Sequence, residues 1–370
     1  MQNVLQKITA FFMSIVAFFA GLFGLNKQPA QPQPEPTSIT EPAAEPTTVV
    51  EESTEPATEP TTVTEPSTEP ETTVPAETEW YTVESGPQYT MHINAIHQLR
   101  SVTDTICDSY IITTADGKVI AIDGGYRTET DYFISYLQTV TGQEKPHIDT
   151  WFISHPHYDH CLVFYEVIEN RPDVLSFDTV CLKFPAEGFF DESVAPEASE
   201  AVREYERLHP LFAEKERIPA DGERFSIGDA QITMLYTFDP AMTAAITNPN
   251  ESSLVFRMDL GGRSVMFTGD AAEHTGRKLL NDPAAAALLD CDVCKMAHHG
   301  QSGVERDFYE AVTPEVCLWP TPSWLWTNGN GTGPWKTLET RQWIQELGVE
   351  KSVIAMDGSQ ILFLNRSRNG

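Results

Sequence analysis

Ser154-His155-Pro156-His157-Tyr158-Asp159-His160 sets three histidines and an aspartate within six residues, where the apolar run Thr150–Ser154 ends. That run reads as a buried strand opening into a His-rich loop. Such side chains are poor core material, because each imidazole needs a hydrogen-bond partner once buried. They suit borderline cations such as zinc, which imidazole and carboxylate bind at about 2.0–2.2 Å. The spacing lets a loop aim His155 and His157 at one ion while Asp159 and His160 face a second. A single structural site would more often recruit cysteine.

Two further strand ends carry residues of the same kind. Phe267-Thr268-Gly269-Asp270-Ala271 projects a carboxylate from a sheet edge, and Lys295-Met296-Ala297-His298-His299-Gly300 ends a strand in two histidines and a glycine. Alone, each would pass for a turn or a solvated loop; together with His155–His160 they point to one centre. Around them, strands and helices alternate. Tyr110–Thr114 and Lys118–Asp123 read as a hairpin, Thr128–Val140 as a helix stopped at Gly142, and Thr179–Phe184 as a strand followed by a helix over Ala195–Leu208. Gln231–Tyr236, Ser252–Leu260, Ser264–Thr268, Asp292–Ala297 and Glu315–Leu318 read as strands. Helices are expected near Asp307–Ala311 and Thr337–Leu347, with a closing hairpin of Ser352–Met356 and Gln360–Leu364. This pattern is α/β, with two mixed sheets covered by helices.

With these residues in order, the chain resembles the metallo-β-lactamase superfamily. The His155-x-His157-x-Asp159-His160 signature, Asp270 in Thr-Gly-Asp-Ala and His298-His299-Gly300 carry the likeness, and Ile120-Ala121-Ile122-Asp123-Gly124-Gly125 is similar to the family's early Ile-Asp-Gly-Gly strand. Asn250-Glu-Ser-Ser-Leu-Val-Phe-Arg257 is most similar to the branch holding the extracellular hydrolase domain of ComEC and, more distantly, cell-surface phosphorylcholine esterases. The implied fold is an αββα sandwich over residues 81–370. The implied chemistry is hydrolysis by a hydroxide shared between two divalent ions, zinc or alternatively manganese. By this resemblance His155 and His157 hold the first ion, Asp159, His160 and His298 the second, and Asp270 bridges them. Asp159 and His299 are the expected catalytic residues, His299 facing the substrate's oxyanion; the His298 and His299 roles are interchangeable at this level. Two departures stand out. His160 is followed by Cys161-Leu162-Val163 rather than Gly-Gly, and no histidine lies between His209 and Asp270, where Asn250 stands instead.

The N-terminal part has a different character. Ile8–Leu25 is an 18-residue run without charge, giving a helix of about 27 Å, enough to cross a bilayer core. Residues 1–27 therefore read as an uncleaved anchor or a secretory signal, and either sends the remainder outside the cytoplasm. Residues 28–80 form a Pro/Glu/Thr-rich linker with recurrent Thr-Glu-Pro and no Lys or Arg, too polar to fold. The 12 Glu of this linker and the two Lys before it leave −20 of the formal −30 on the remaining domain. That charge disfavours nucleic acid as a partner and favours a small or cell-surface phosphoester, with the membrane reached through the N-terminal helix. The expected function is thus an exported or membrane-tethered hydrolase of phosphate esters or phosphodiesters. The alternatives are a hydrolase of a carboxyl derivative such as a β-lactam or thioester, or a non-catalytic surface module that keeps the metal site. Cys291-Asp-Val-Cys294 reads as apolar strand filling or as a local disulfide, and Trp319–Gly333 as packing or as a mobile aromatic wall.

Overall fold

Alternation of β-branched and aromatic runs with turn residues gives fifteen strands in the computed structural model, which describes residues 80–364. In chain order they are β1 (Tyr81–Ser85), β2 (Ala95–Gln98), β3 (Ser109–Thr113), β4 (Val119–Asp123), β5 (His147–Phe152), β6 (Ser176–Cys181), β7 (Glu216–Arg217), β8 (Arg224–Ile227), β9 (Ala230–Tyr236), β10 (Val255–Leu260), β11 (Arg263–Phe267), β12 (Val293–Lys295), β13 (Val316–Trp319), β14 (Lys351–Ile354) and β15 (Gln360–Leu364). They build two sheets, ordered β1-β15-β2-β3-β4-β5-β6-β7 and β14-β13-β12-β11-β10-β9-β8. Strands β2, β3, β4, β12 and β13 are buried along their whole length, as expected of strands covered on both faces.

Between the sheets lies one apolar layer, to which Ile112, Ile120, Ile122 and Phe152 contribute from the first sheet and Met234, Phe256, Val265 and Phe267 from the second. Phe152 stacks on Phe256 at 4.6 Å between centroids, and Phe256 on Phe267 at 5.2 Å. Burying each such ring contributes about 1.5–3 kcal/mol. On the outer face of the first sheet pack α1 (Thr130–Thr141), α2 (Tyr158–Asn170) and α3 (Pro196–Leu208) around Trp151 and Phe164. Outside the second sheet lie α4 (Glu273–Asn281), α5 (Pro283–Ala286), α6 (Arg306–Val312), α7 (Ser323–Trp326), α8 (Asn328–Gly331) and α9 (Thr337–Glu346). The helices α4, α6 and α9 contribute Leu279, Phe308 and Ile344 to that layer's core.

Strand direction places the site. The pairs β4–β5, β11–β12 and β12–β13 are parallel, so the segments leaving their C-terminal ends emerge along one edge of each sheet.

Several expectations need correction. The segments 352–356 and 360–364 do not form a hairpin: β14 joins the second sheet beside β13, while β15 lies between β1 and β2 of the first. The His-rich segment is not a loop throughout, because α2 begins at Tyr158. All six cysteines are free and buried, so Cys291 and Cys294 form no disulfide. Trp319 is a core residue packed edge-on against Trp326, and the segment after it folds into α7 and α8. Asp104 anchors that segment, accepting from the Ser323 N–H at 3.0 Å and its hydroxyl at 2.6 Å. The apolar run Ile8–Leu25 and the linker lie outside the described residues. Among the described residues, no helix is long and apolar enough to cross a membrane.

Candidate metal centre

Five strand ends supply the centre. From β5 come Ser154, His155 and His157, with Asp159 and His160 in the first turn of α2; His155 and His160 are fully buried. From β11 comes Asp270, after Gly269 in a left-handed conformation (φ 50°), where a Cβ would meet Ser253 Cβ at 2.9 Å. From β12 come Lys295 and the tight turn Ala297–Gly300. β4 adds Asp123 at its end, and β13 adds the Pro320 carbonyl.

The side chains converge on one oxygen. Oδ2 of Asp270 lies 3.2 Å from His160 Nε2, 3.2 Å from His299 Nε2 and 4.0 Å from His155 Nε2. His155 Nε2 faces His157 Nδ1 at 2.9 Å. Asp159 Oδ2 sits 2.9 Å from His299 Nε2 and 3.4 Å from His160 Nε2. Two donor groups result, each compact enough to hold a cation: His155, His157 and Asp270, and Asp108, His160, Asp270 and His299; the Lys295 ammonium takes the Asp108 carboxylate, which leaves Asp159 Oδ2 as the carboxylate beside the same two histidines. Asp270 belongs to both.

Partners behind the rings fix which nitrogen faces inward. His160 Nδ1 donates to Asp123 Oδ2 at 2.9 Å, His299 Nδ1 donates to the Pro320 carbonyl at 3.1 Å, and His155 Nδ1 lies 3.1 Å from the Ser154 hydroxyl. Each arrangement leaves Nε2 as the atom turned toward the centre, the tautomer a metal ligand needs. Burial holds the His155 ring well below the usual imidazole range and lowers His157 to about 4. At His299 burial opposes protonation, but the carboxylates of Asp270 and Asp159 raise it to about 9. Asp270 is likewise held well below the usual carboxylate range, against burial, by His299, His160 and Lys295.

The residues fit divalent cations. Nε2 of His160 and of His299 are buried with no well-aligned hydrogen bond, although carboxylate oxygens stand beside them. Asp108, Asp123, Asp159 and Asp270 are all buried, and Lys295 brings a permanent positive charge against these four. Buried charge of one sign calls for compensation, and imidazole with carboxylate is a donor set of zinc-like ions.

The geometry parts from expectation at His298. It is His299, not His298, whose Nε2 lies beside Asp270, while His298 Nδ1 donates to the Ser302 carbonyl at 3.4 Å and its Nε2 faces Gln301 Nε2 at 2.8 Å and Asn250 Nδ2 at 3.3 Å. Both histidines have left-handed backbones, with φ 49° and 56°, and this tight turn sends the second ring inward. His298 is left half-buried beside the centre. Sequence reasoning missed Asp108, and it read Asp123 and Lys295 only as parts of motifs. An aspartate or a lysine at the end of an apolar strand is a weak signal, since the same pattern marks ordinary strand ends.

A model of the metallo-beta-lactamase superfamily matches residues 102–316, more than half of the chain. Among solved structures, the chain is similar to the metallo-beta-lactamase fold protein YhfI from Bacillus subtilis, at 12% identity over 72% of this chain and 98% of the other (TM-score 0.44). It is similar to CmlA, a diiron β-hydroxylase from Streptomyces venezuelae, at 12% identity over 73% of this chain and 54% of that one (TM-score 0.42). It is also similar to a diphosphatase of the PhnP family, at 12% identity over 73% and 98% (TM-score 0.41). No curated protein matches the chain in sequence. With the two-sheet fold and the donor residues in their order, the family match identifies the chain as a member of the metallo-beta-lactamase superfamily, with the fold of its metal-dependent hydrolases.

Proposed function

We propose that this chain is an exported or membrane-tethered hydrolase of phosphate esters or phosphodiesters that works with two divalent cations, zinc by preference and manganese as the alternative. The observation that carries the reading is the shared Asp270 Oδ2, which faces His155 on one side and His160 and His299 on the other. His155, His157 and Asp270 would hold one ion; Asp159, His160, His299 and Asp270 would hold the other. When bound, such a pair supplies Lewis acidity and brings the pKa of a coordinated water down toward neutrality. The protein's own part is orientation. Asp123, Ser154 and the Pro320 carbonyl hold the rings, and burial of His155, Asp159, His160, Asp270 and His299 keeps bulk water away. His298, held by Gln301 and Asn250 and still partly exposed, would meet a phosphoryl oxygen of the substrate.

The resemblance of Asn250–Arg257 to the ComEC-like branch supports a phosphodiester or phosphorylcholine ester over a β-lactam. The domain's negative charge supports a small substrate, especially one with a cationic group, over a long polyanion. Export rests on the apolar run Ile8–Leu25 and the polar linker after it.

The test is turnover by the zinc- or manganese-loaded full chain of a bis-aryl phosphodiester, a phosphorylcholine ester and a β-lactam, beside Asp270→Ala. Cation-dependent cleavage of either phosphoester, abolished in Asp270→Ala, is expected. Turnover confined to the β-lactam would move the substrate to carboxyl derivatives. With both ions bound, no turnover of any of them would favour a binding module.

A further inference from the structure

Lys295 is the one cationic amine of the centre, with no evident place in cation binding, and it is 1% exposed at the end of β12. Its ammonium makes three contacts: the carboxylate of Asp108, the Gly269 carbonyl at 2.5 Å and Asp270 Oδ1 at 3.3 Å. Asp108 is itself 1% exposed, and its backbone N–H donates to the Asp159 carbonyl at 3.1 Å. The ammonium therefore ties the strand end carrying Asp270 to the segment carrying Asp159. It also occupies Oδ1 of Asp270, the oxygen turned away from the histidines.

We propose that Lys295 is a positioning residue: anchored by Asp108, it pins Oδ1 of Asp270 so that Oδ2 alone is presented to both cations. This rests on the two-cation reading above. A carboxylate tethered at one oxygen and at the preceding carbonyl cannot rotate about its Cβ–Cγ bond without breaking a buried charge-assisted hydrogen bond. One oxygen is thereby held between the two donor groups, where a free carboxylate could turn to chelate a single ion.

A purely charge-balancing lysine makes the opposite prediction. Removing a buried ammonium makes the pocket more negative, and simple Coulomb attraction then tightens cation binding. Removing a positioning residue weakens it, typically about 10–100-fold for a group that orients a metal ligand. The sign of the change separates the two roles without reference to any substrate.

The experiment is isothermal titration of the metal-free full-length protein with Zn²⁺ or Co²⁺, with bound ions per chain counted after dialysis. Wild type, Lys295→Met, Lys295→Gln, Asp108→Asn and Lys295→Met/Asp108→Asn are compared. Wild type is expected to bind two ions. Lys295→Met should weaken the second ion by about 10–100-fold, and with Co²⁺ the magnetic coupling carried by a shared carboxylate should disappear. Lys295→Gln, which can still donate to Oδ1, should recover part of the affinity. The double variant removes both partners of the buried ion pair and, read against Asp108→Asn alone because Asp108 borders the second donor group, tests the same loss where Lys295→Met fails to fold. Unchanged or tighter second-ion binding in folded Lys295→Met, or in the double variant relative to Asp108→Asn, overturns the proposal. Fewer than two ions on wild type would instead overturn the two-cation reading on which it rests.

Discussion

Replacing Asp123 by asparagine tests how the fold orients the His160 ring toward the centre. Asp123 is 1% exposed and takes three hydrogen bonds: Ser154 N–H to Oδ1 at 2.7 Å, and the Ser154 hydroxyl at 2.8 Å and His160 Nδ1 at 2.9 Å to Oδ2. Its backbone is left-handed (φ 53°), a conformation asparagine accepts as readily as aspartate, so the substitution adds no backbone strain. An amide has one acceptor oxygen where the carboxylate has two. That oxygen stays on the immovable Ser154 N–H, and the NH₂ then faces His160 Nδ1. The ring can answer only by making Nδ1 an acceptor and carrying its proton on Nε2, the atom that faces Asp270. Losing one hydrogen bond to a charged acceptor costs about 1.5–3 kcal/mol, or roughly 10–150-fold in affinity. Calorimetric titration with zinc should show that loss for the ion on the His160 side, with the His155–His157 side retained. Unchanged affinity, or a loss confined to the His155–His157 side, would refute the tautomer argument.

Three further outcomes follow from the same structure. Gly300→Ala places a Cβ 2.3 Å from the buried Trp319 ring at φ 80°; left-handed strain and overpacking together should lower unfolding free energy by about 2–5 kcal/mol in urea titrations. His97, buried between Thr90 and Tyr136, is lowered by burial to about 3. Its folded value lies below the unfolded one, so the stability it confers is full above about 6.5 and is lost as pH falls. That amounts to about 2 kcal/mol by pH 5, a slope that His97→Gln should flatten in unfolding measured at pH 5 and 7.5. Glu251, 1% exposed, accepts from the N–H groups of His274 at 3.0 Å and Thr275 at 2.8 Å at the start of α4. Glu251→Ala should cost about 1–3 kcal/mol and speed amide exchange in that helix first.

What the sequence disclosed depends on where the information sits. The donor-rich strand ends were legible because metal chemistry is written in residue type and short spacing, as in His155–His160 and Gly269-Asp270. The β3–β4 hairpin was legible for a similar reason, since its turn at Asp116-Gly117 is local. The fate of β15 was not, because its partners β1 and β2 lie far earlier in the chain, and Asp357-Gly358 turns equally well into a hairpin or a crossing between sheets. The start of α2 was hidden because its first turn is made of ligand-type residues, and apolar periodicity begins only at Leu162. The choice between His298 and His299 rests on two left-handed backbone conformations, which residue type alone does not encode. The pairing of Lys295 with Asp108 escaped notice for a different reason. Each is an ordinary residue at a strand end until the other, nearly two hundred positions away in the chain, is brought against it.

The most direct test of the two-cation centre is anomalous scattering at the zinc edge from crystals of the zinc-loaded full chain. Two peaks are predicted, one bounded by His155, His157 and Asp270 and the other by Asp159, His160, His299 and Asp270, with Asp270 touching both. A single peak, or a peak ligated by His298 in place of His299, would contradict it.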